Sequence, residues 1–312
     1  MYNKEIKMEF ISAYTNNDNT IRNCVTFFNA ISRYEEEIGA DICTLQEKDL
    51  IPILEATTGI RSFSKTRRII ILKKYFQWCK ETKRVKNAGN GMDNITKIMG
   101  LGKYKTHMVS SPIHLLAYLN IAFAAESANT VDNTFRCFYW LAYGGMDEED
   151  ICKVTTADVD IENMYVKYNS TFIPIYREAV QAFIHCIKYD AFSYEHANYT
   201  KDRTIMPRAD GNLLLRGFKQ PNVLSFRQSL SRRSKKIRES GKTDLELSYY
   251  RVWLSGLFYR IYEQEKMGIE PDFLSVISQL SEKDKDIKLS KFNQLAKEYK
   301  EDYQRWKLVF DT

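Results

Sequence analysis

The sequence predicts a mainly α fold in two domains, the second carrying a small β-sheet. Three observations point there. At 312 residues the chain exceeds the roughly 100–200 residues of one ordinary domain. Apolar side chains recur at helical steps through the first 84 residues and again after residue 111. At 164–175, MYVKYNSTFIPI, the residues become β-branched and aromatic, as strands require.

Taken in order, Ile21, Val25, Phe28, Ile31 and Ile38 mark one helix, and Leu45, Leu50, Ile53 and Leu54 a second that opens near Thr44. A third stripe, from Phe63 through Ile70, Tyr75, Phe76 and Trp78, begins after Ser62 and ends near Lys83. It carries Lys65, Arg67, Arg68, Lys73 and Lys74 on its other faces, giving a small helical domain over 1–84 with one basic helix. Residues 85–110 read as a linker, because 84–111 hold four of the thirteen glycines and no continuous stripe; one short helix is expected at 93–99.

Helices resume at Ser111-Pro112 and run to Tyr143. Asn169-Ser170 then centres a short hairpin ending at Pro174, followed by helices at about 176–189, 222–238, 245–265 and 271–280. The charged run SEKDKDIK reads as an exposed connector. After it, Leu289, Phe292, Ala296, Tyr299, Tyr303, Trp306 and Phe310 form one stripe, so the second domain, 111–312, closes on a helix at 289–310.

Composition narrows the function classes. Hydrophobic residues at 44% and charged residues at 28% describe a globular chain rather than a fibrous or disordered one. The longest apolar stretch, Leu115 to Ala125, has eleven residues and contains Asn120, against the ~20 a bilayer span needs. With charges where a secretory signal would be apolar, the chain is expected in the cytoplasm. Six cysteines form no CxxC pair and four histidines no HExxH pair, so reduced structural thiols, no metal and no cofactor are expected.

The net charge of +6 conceals two concentrations. Residues 61–86 hold ten Lys/Arg against Glu81 alone, and 213–243 hold nine against Glu239 alone. These patches carry +9 and +8, leaving −11 on the rest of the chain. Two cationic patches on an acidic body suit a polyanion, of which DNA is the commonest. The plain alternative is two solvated helical faces.

From Gly144 the run GGMDEEDICKVTTADVDIENMYVKYNSTFIPI resembles the opening of the catalytic domain in the tyrosine recombinases, the phage integrases. In that family a Thr-Gly-Leu-Arg turn and helix lead to Asp-Ile-Asp and a small sheet. Here Gly144-Gly145-Met146-Asp147 occupies the turn and Asp158-Val159-Asp160 closes the segment. Residues 12–84 look like the family's helical core-binding domain, so the resemblance spans nearly the whole chain. It implies a two-domain tyrosine-recombinase-like fold: a helical core-binding (SAM-like) domain, then an α-helical catalytic-like domain with a small β-sheet.

The family cleaves DNA with a tyrosine while cations and hydrogen-bond donors clamp the scissile phosphate. By the resemblance, its first Arg falls at Asp147, or at Met146 with a one-residue slip. An acid there repels phosphate by about 4 kcal/mol at ~4 Å and an effective dielectric of 20. The His-x-x-Arg box falls on Ser248-Tyr249-Tyr250-Arg251, keeping Arg251 and replacing the histidine by serine. A later His or Trp is missing near Gln279 to Glu282. Tyr299 and Tyr303 are the candidate nucleophiles, but both lie on an apolar stripe where a buried aromatic is the simpler reading. Each lost oxyanion-type donor costs about 10²–10³ in rate, so the resemblance implies a fold without the reaction and no catalytic residue in place.

The expected DNA contacts are Lys65, Arg67, Arg68, Lys73 and Lys74 on the basic helix, Lys167 on the hairpin, and Arg227, Arg232, Arg233, Lys235, Lys236 and Arg251 beyond it. Lys167 also reads as a solvated edge residue, and the helical cations as a solubilising face. The leading expectation is a sequence-specific binder of double-stranded operator DNA, a phage or prophage transcriptional repressor controlling lysogeny, cytoplasmic and nucleoid-associated. Self-association through the C-terminal helix, and relief by an antirepressor protein or peptide-linked regulator, complete the expected partners. The runner-up is an active site-specific recombinase. A third reading, an isolated helix-turn-helix activator, rests on EKDLIPILEATTGIRSFSKTRR with Gly59 in its turn.

Overall fold

The computed structural model describes residues 1–59, 62–123, 130–188, 191–194, 204–207, 212–215, 222–283 and 291–310. Arg61, Arg216 and Lys219 of the basic runs, and most of the SEKDKDIK connector, lie outside them, as do the side chains at 279–283. In chain order the elements are α1 (Lys4–Tyr14), α2 (Asp18–Ile38), α3 (Glu47–Thr57), α4 (Ser62–Thr82), α5 (Leu101–His107), α6 (Pro112–Ala122), α7 (Thr130–Gly144), α8 (Glu148–Ile151), β1 (Val159–Asp160), β2 (Tyr165–Tyr168), β3 (Thr171–Pro174) and α9 (Val180–Lys188). There follow β4 (Ala191–Tyr194), β5 (Thr204–Pro207), α10 (Val223–Glu239), α11 (Tyr249–Lys266), α12 (Phe273–Lys283) and α13 (Phe292–Phe310). The chain is mostly helical with a small antiparallel sheet in the order β1-β2-β3, as the sequence predicts.

The local signals act where the sequence puts them. Asn17 caps α2 by accepting from Thr20 N at 3.0 Å, and Gly39, at φ 72°, ends it in the left-handed conformation glycine tolerates. Ser111 caps α6 by accepting from His114 N, with Pro112 in the first turn. Asn169 and Ser170 take φ of 46° and 64°, the paired left-handed geometry of a two-residue hairpin turn. β2 and β3 pair across it in the register Lys167↔Phe172 and Tyr168↔Thr171.

Two compact units emerge, Met1–Tyr104 with Asp272–Thr312, and Lys105–Pro271. The first has its own core, built from Phe10, Phe27, Phe28, Ile31, Leu54, Leu72, Tyr75 and Phe76. Residues 84–100 are not a free tether: Met92, Ile95 and Ile98 are buried in that core. Gly91 permits the approach, because a Cβ there would lie 2.2 Å from Leu45 O. The helix expected at 93–99 is absent and α5 forms instead at 101–107, since Lys65 and Glu55 take up the backbone of Met99 and Gly100 in an irregular conformation. The last two helices also pack in the first unit, α13 against α12 and α4, whereas the sequence division places them with residues 111–312.

The second unit is centred on α7, whose Phe135, Phe138, Tyr139, Trp140 and Tyr143 are all buried. Helix α11 crosses α7 so closely that a Cβ on Gly256 would stand 1.9 Å from Tyr143 O. A second, two-stranded sheet of β4 and β5 was not legible in the sequence. No described helix is long and apolar enough to cross a membrane.

Candidate phosphate-binding cleft

The Gly-Gly-Met-Asp turn is held directly against the start of α11. Gly145, at φ 104°, leaves its carbonyl to accept from Trp253 Nε1 at 3.3 Å, and Met146 O accepts from the Tyr249 hydroxyl at 3.0 Å. A Cβ on Gly145 would come within 2.8 Å of Arg260 Nη2, and one on Gly144 within 2.5 Å of Ile173 Cγ2. Packing therefore favours glycine at 144, while at 145 the positive φ does, since the tip of Arg260 could swing aside. Burial, with Asp147 and Glu148 nearby, pushes the Tyr249 hydroxyl above the usual phenol range.

This clamp brings two distant sequence segments together around a cleft of about 510 Å³. Its walls include Glu148 from α8, Arg227, Lys235 and Arg238 from α10, and Glu246, Ser248 and Arg251 at the entry to α11. Asp147 precedes α8 at the N-cap position and Ser248 precedes α11 at the corresponding place, without a side-chain capping bond at either.

Every arginine in the cleft already has an anion. Arg227 grips Glu148 with both arms: Nε donates to Oε2 at 2.9 Å and Oε1 at 3.1 Å, and Nη2 to Oε2 at 2.6 Å. Those bonds raise the Arg227 pKa. Arg251 donates to the Glu246 carbonyl at 2.6 Å and pairs with its carboxylate at 3.5 Å, while burial lowers its pKa against the pull of Glu246. Arg238 approaches the same carboxylate at 3.7 Å. Sequence reasoning singled out Arg227 and Arg251 but missed Glu148, Arg238 and Glu246. The available signal was acids adjoining both motifs, Glu148 after Asp147 and Glu246 two residues before Ser248.

The remaining expected contacts divide by exposure. Lys65 is 2% exposed, donates to Met99 O at 2.6 Å and lies 5.1 Å over the Tyr104 ring. Burial, reinforced by Arg305, lowers its pKa to about 8. That corrects its placement on the DNA-facing surface. Arg68 is likewise drawn inward, donating to Thr57 O at the end of α3 and lying over Phe27, with burial lowering its pKa. Arg67 donates to Thr20 Oγ1 at 3.0 Å and Lys73 to Asp93 O at 3.2 Å. Arg233 pairs with Asp132 at 2.6 Å over the Phe135 ring, so it ties α10 to α7. Lys74, Arg232, Lys235, Lys236 and Lys167 are exposed. Lys235 is 3.8 Å from Glu239 one turn on, and Lys167 covers Phe172.

Tyr299 and Tyr303 are buried in the first unit, Tyr303 stacked on Trp306 and tilted against Phe273. The cleft is lined wholly by residues of the second unit. Among the described residues no group of His, Cys, Asp or Glu is arranged to hold a metal ion.

These features define a mainly helical protein whose second unit carries a cleft in which each arginine is paired with an acid. Residues 1–81 match the family model described as MrpR, N-terminal core-binding domain. Likenesses among solved structures are weak in sequence. They include the XerA recombinase at 10% identity and TM-score 0.36, covering 86% of each chain. The Tn1549 transposon integrase in complex with circular intermediate DNA shows 14% identity and TM-score 0.35, covering 86% of this chain and 88% of that one. A lambda integrase tetramer bound to a Holliday junction shows 10% and 0.34, covering 86% and 74%. No curated protein matches the chain.

Proposed function

We propose that the protein is a sequence-specific binder of double-stranded DNA on a recombinase-like scaffold without strand-cleaving activity, acting as a phage or prophage transcriptional repressor that controls lysogeny. The observation that carries this reading is the MrpR core-binding match over residues 1–81. The cleft supports the loss of catalysis. By the resemblance, Asp147 (or Met146) and Ser248 fall where scissile-phosphate chemistry needs a cation and an imidazole, and the arginines nearby are held by carboxylates.

The phosphate contacts fall to the exposed cations Lys74, Arg232, Lys235 and Lys236, with Lys167 at the hairpin edge and Arg251 as a positioning group at the cleft. Operators in the host nucleoid, self-association through the C-terminal helix on DNA, with that helix docked on its own unit in the free protein, and relief by an antirepressor or peptide-linked regulator belong to the same reading.

Genomic footprinting of the bound protein tests it. Many intergenic sites support a regulator. A single attachment-like site, together with a covalent protein–DNA adduct trapped on a nicked substrate, would instead establish the active recombinase.

A further inference from the structure

Glu148 and Glu246 are held as a bound phosphate would be. A guanidinium fork fits carboxylate and phosphate by the same bidentate geometry, and Arg227 spends that fork on Glu148, a side chain only 6% exposed. Glu246 lies 3.5 Å from Arg251 and 3.7 Å from Arg238, with His107 Nε2 at 4.0 Å. Its backbone is fixed too, its N–H donating to Thr106 O at 2.8 Å. Both acids line the same cleft as their arginines. Yet Arg227 remains 65% exposed, so an external phosphate can reach the cation that the carboxylate occupies.

We propose that Glu148 and Glu246 are internal anions that occupy the cleft's arginines in the DNA-free protein and so suppress binding to duplex of the wrong sequence. Sequence-independent affinity comes from cations releasing counterions at phosphates. A cation already neutralised inside the protein contributes little to that release. Only a duplex seated by its other contacts brings a phosphate close enough to compete with the carboxylate, and discrimination then rests on a built-in repulsive element. This inference rests on the DNA-binding reading and specifies how that reading avoids non-cognate sites.

The test measures fluorescence anisotropy of a labelled random-sequence duplex against salt, using the full chain and its Glu148→Gln, Glu246→Gln and Glu148→Gln/Glu246→Gln variants. Each substitution is expected to tighten binding at low salt and to steepen the log K against log salt slope by about one per released arginine. Adding Arg227→Gln to the Glu148→Gln variant should cancel its gain, which separates a freed cation from a general rearrangement; thermal melts confirm that each variant is folded. Unchanged or weaker binding by the folded Gln variants, or a gain that survives Arg227→Gln, overturns the inference. A wild-type chain with no salt-dependent binding to any duplex overturns the DNA-binding reading itself.

Discussion

Gly256 on α11 lies directly against the carbonyl of Tyr143 on α7, where a Cβ would stand 1.9 Å from the oxygen and 2.7 Å from the carbon. Backbone, not a movable side chain, fills the space. Gly256→Ala should therefore force the two central helices apart and cost at least the ~1–3 kcal/mol typical of overpacking. A thermal melt checks this; a variant that melts with the wild type would mean that the crossing is looser than these distances.

Surface and buried cations of the basic segments should behave oppositely. Lys74→Glu, and separately Arg232→Glu with Lys236→Glu, should leave the melting temperature unchanged, weaken DNA binding and reduce the salt slope by about one for each phosphate no longer neutralised. Arg68→Ala should instead destabilise the first unit, because its guanidinium holds the final carbonyl of α3. Gel-shift titrations paired with melts distinguish the two groups.

Lys65 sets a pH dependence. Its folded pKa, near 8, lies below the ordinary lysine value of 10.5 because burial, then Arg305, disfavours its charge. Between about pH 8 and 10.5 the unfolded chain binds the extra proton, so this group makes stability rise with pH across that window; below pH 8 both states are protonated and the burial penalty is constant. Comparing melts of the wild type and Lys65→Met from pH 7 to 10.5 isolates the effect. The difference between them should change across the window and be flat below it.

The C-terminal helix completes the core of the first unit. Tyr299, Tyr303 and Trp306 are buried, Asp302 accepts from the Tyr104 hydroxyl at 3.2 Å, and Arg305 pairs with Asp302 at 3.0 Å. Truncation after Asp286 should lower the melting temperature sharply or cause aggregation, since even one buried Trp or Phe truncated to Ala costs about 3–5 kcal/mol. A shortened chain that stays folded and monomeric but loses cooperative occupancy of adjacent half-sites would show instead that the helix works in trans.

Covalent trapping on a nicked duplex should give no adduct, and Asp147→Arg alone should not create one, because Ser248 and the buried tyrosines remain. An adduct abolished by Tyr299→Phe or Tyr303→Phe would overturn the non-catalytic reading.

Much of the fold was legible. The stripes of the first 84 residues become α2, α3 and α4, the Ser111-Pro112 start becomes the capped N-terminus of α6, and Asn169-Ser170 becomes the hairpin turn. Each is a local effect, in which side chains a few residues apart choose the backbone conformation. The segment 84–100 defeats the same reasoning, because glycine and the lack of a stripe resemble a linker whether the chain is free or pinned by remote groups such as Glu55 and Lys65.

By itself the sequence determined the helical periods, the two basic runs, and the absence of arginine and histidine at Asp147 and Ser248, because those are properties of residue order alone. Only the tertiary structure decided which cations are available. Lys65 and Arg68 share a helix with Lys74 yet point their charge inward, and Arg227 and Arg251 meet Glu148 and Glu246 only because Trp253 and Tyr249 fasten the Gly145 turn to α11. Whether a charge faces solvent or a partner depends on what long-range packing places beside it, and electrostatic energy at a few ångströms is set by that neighbour rather than by the residue's own name.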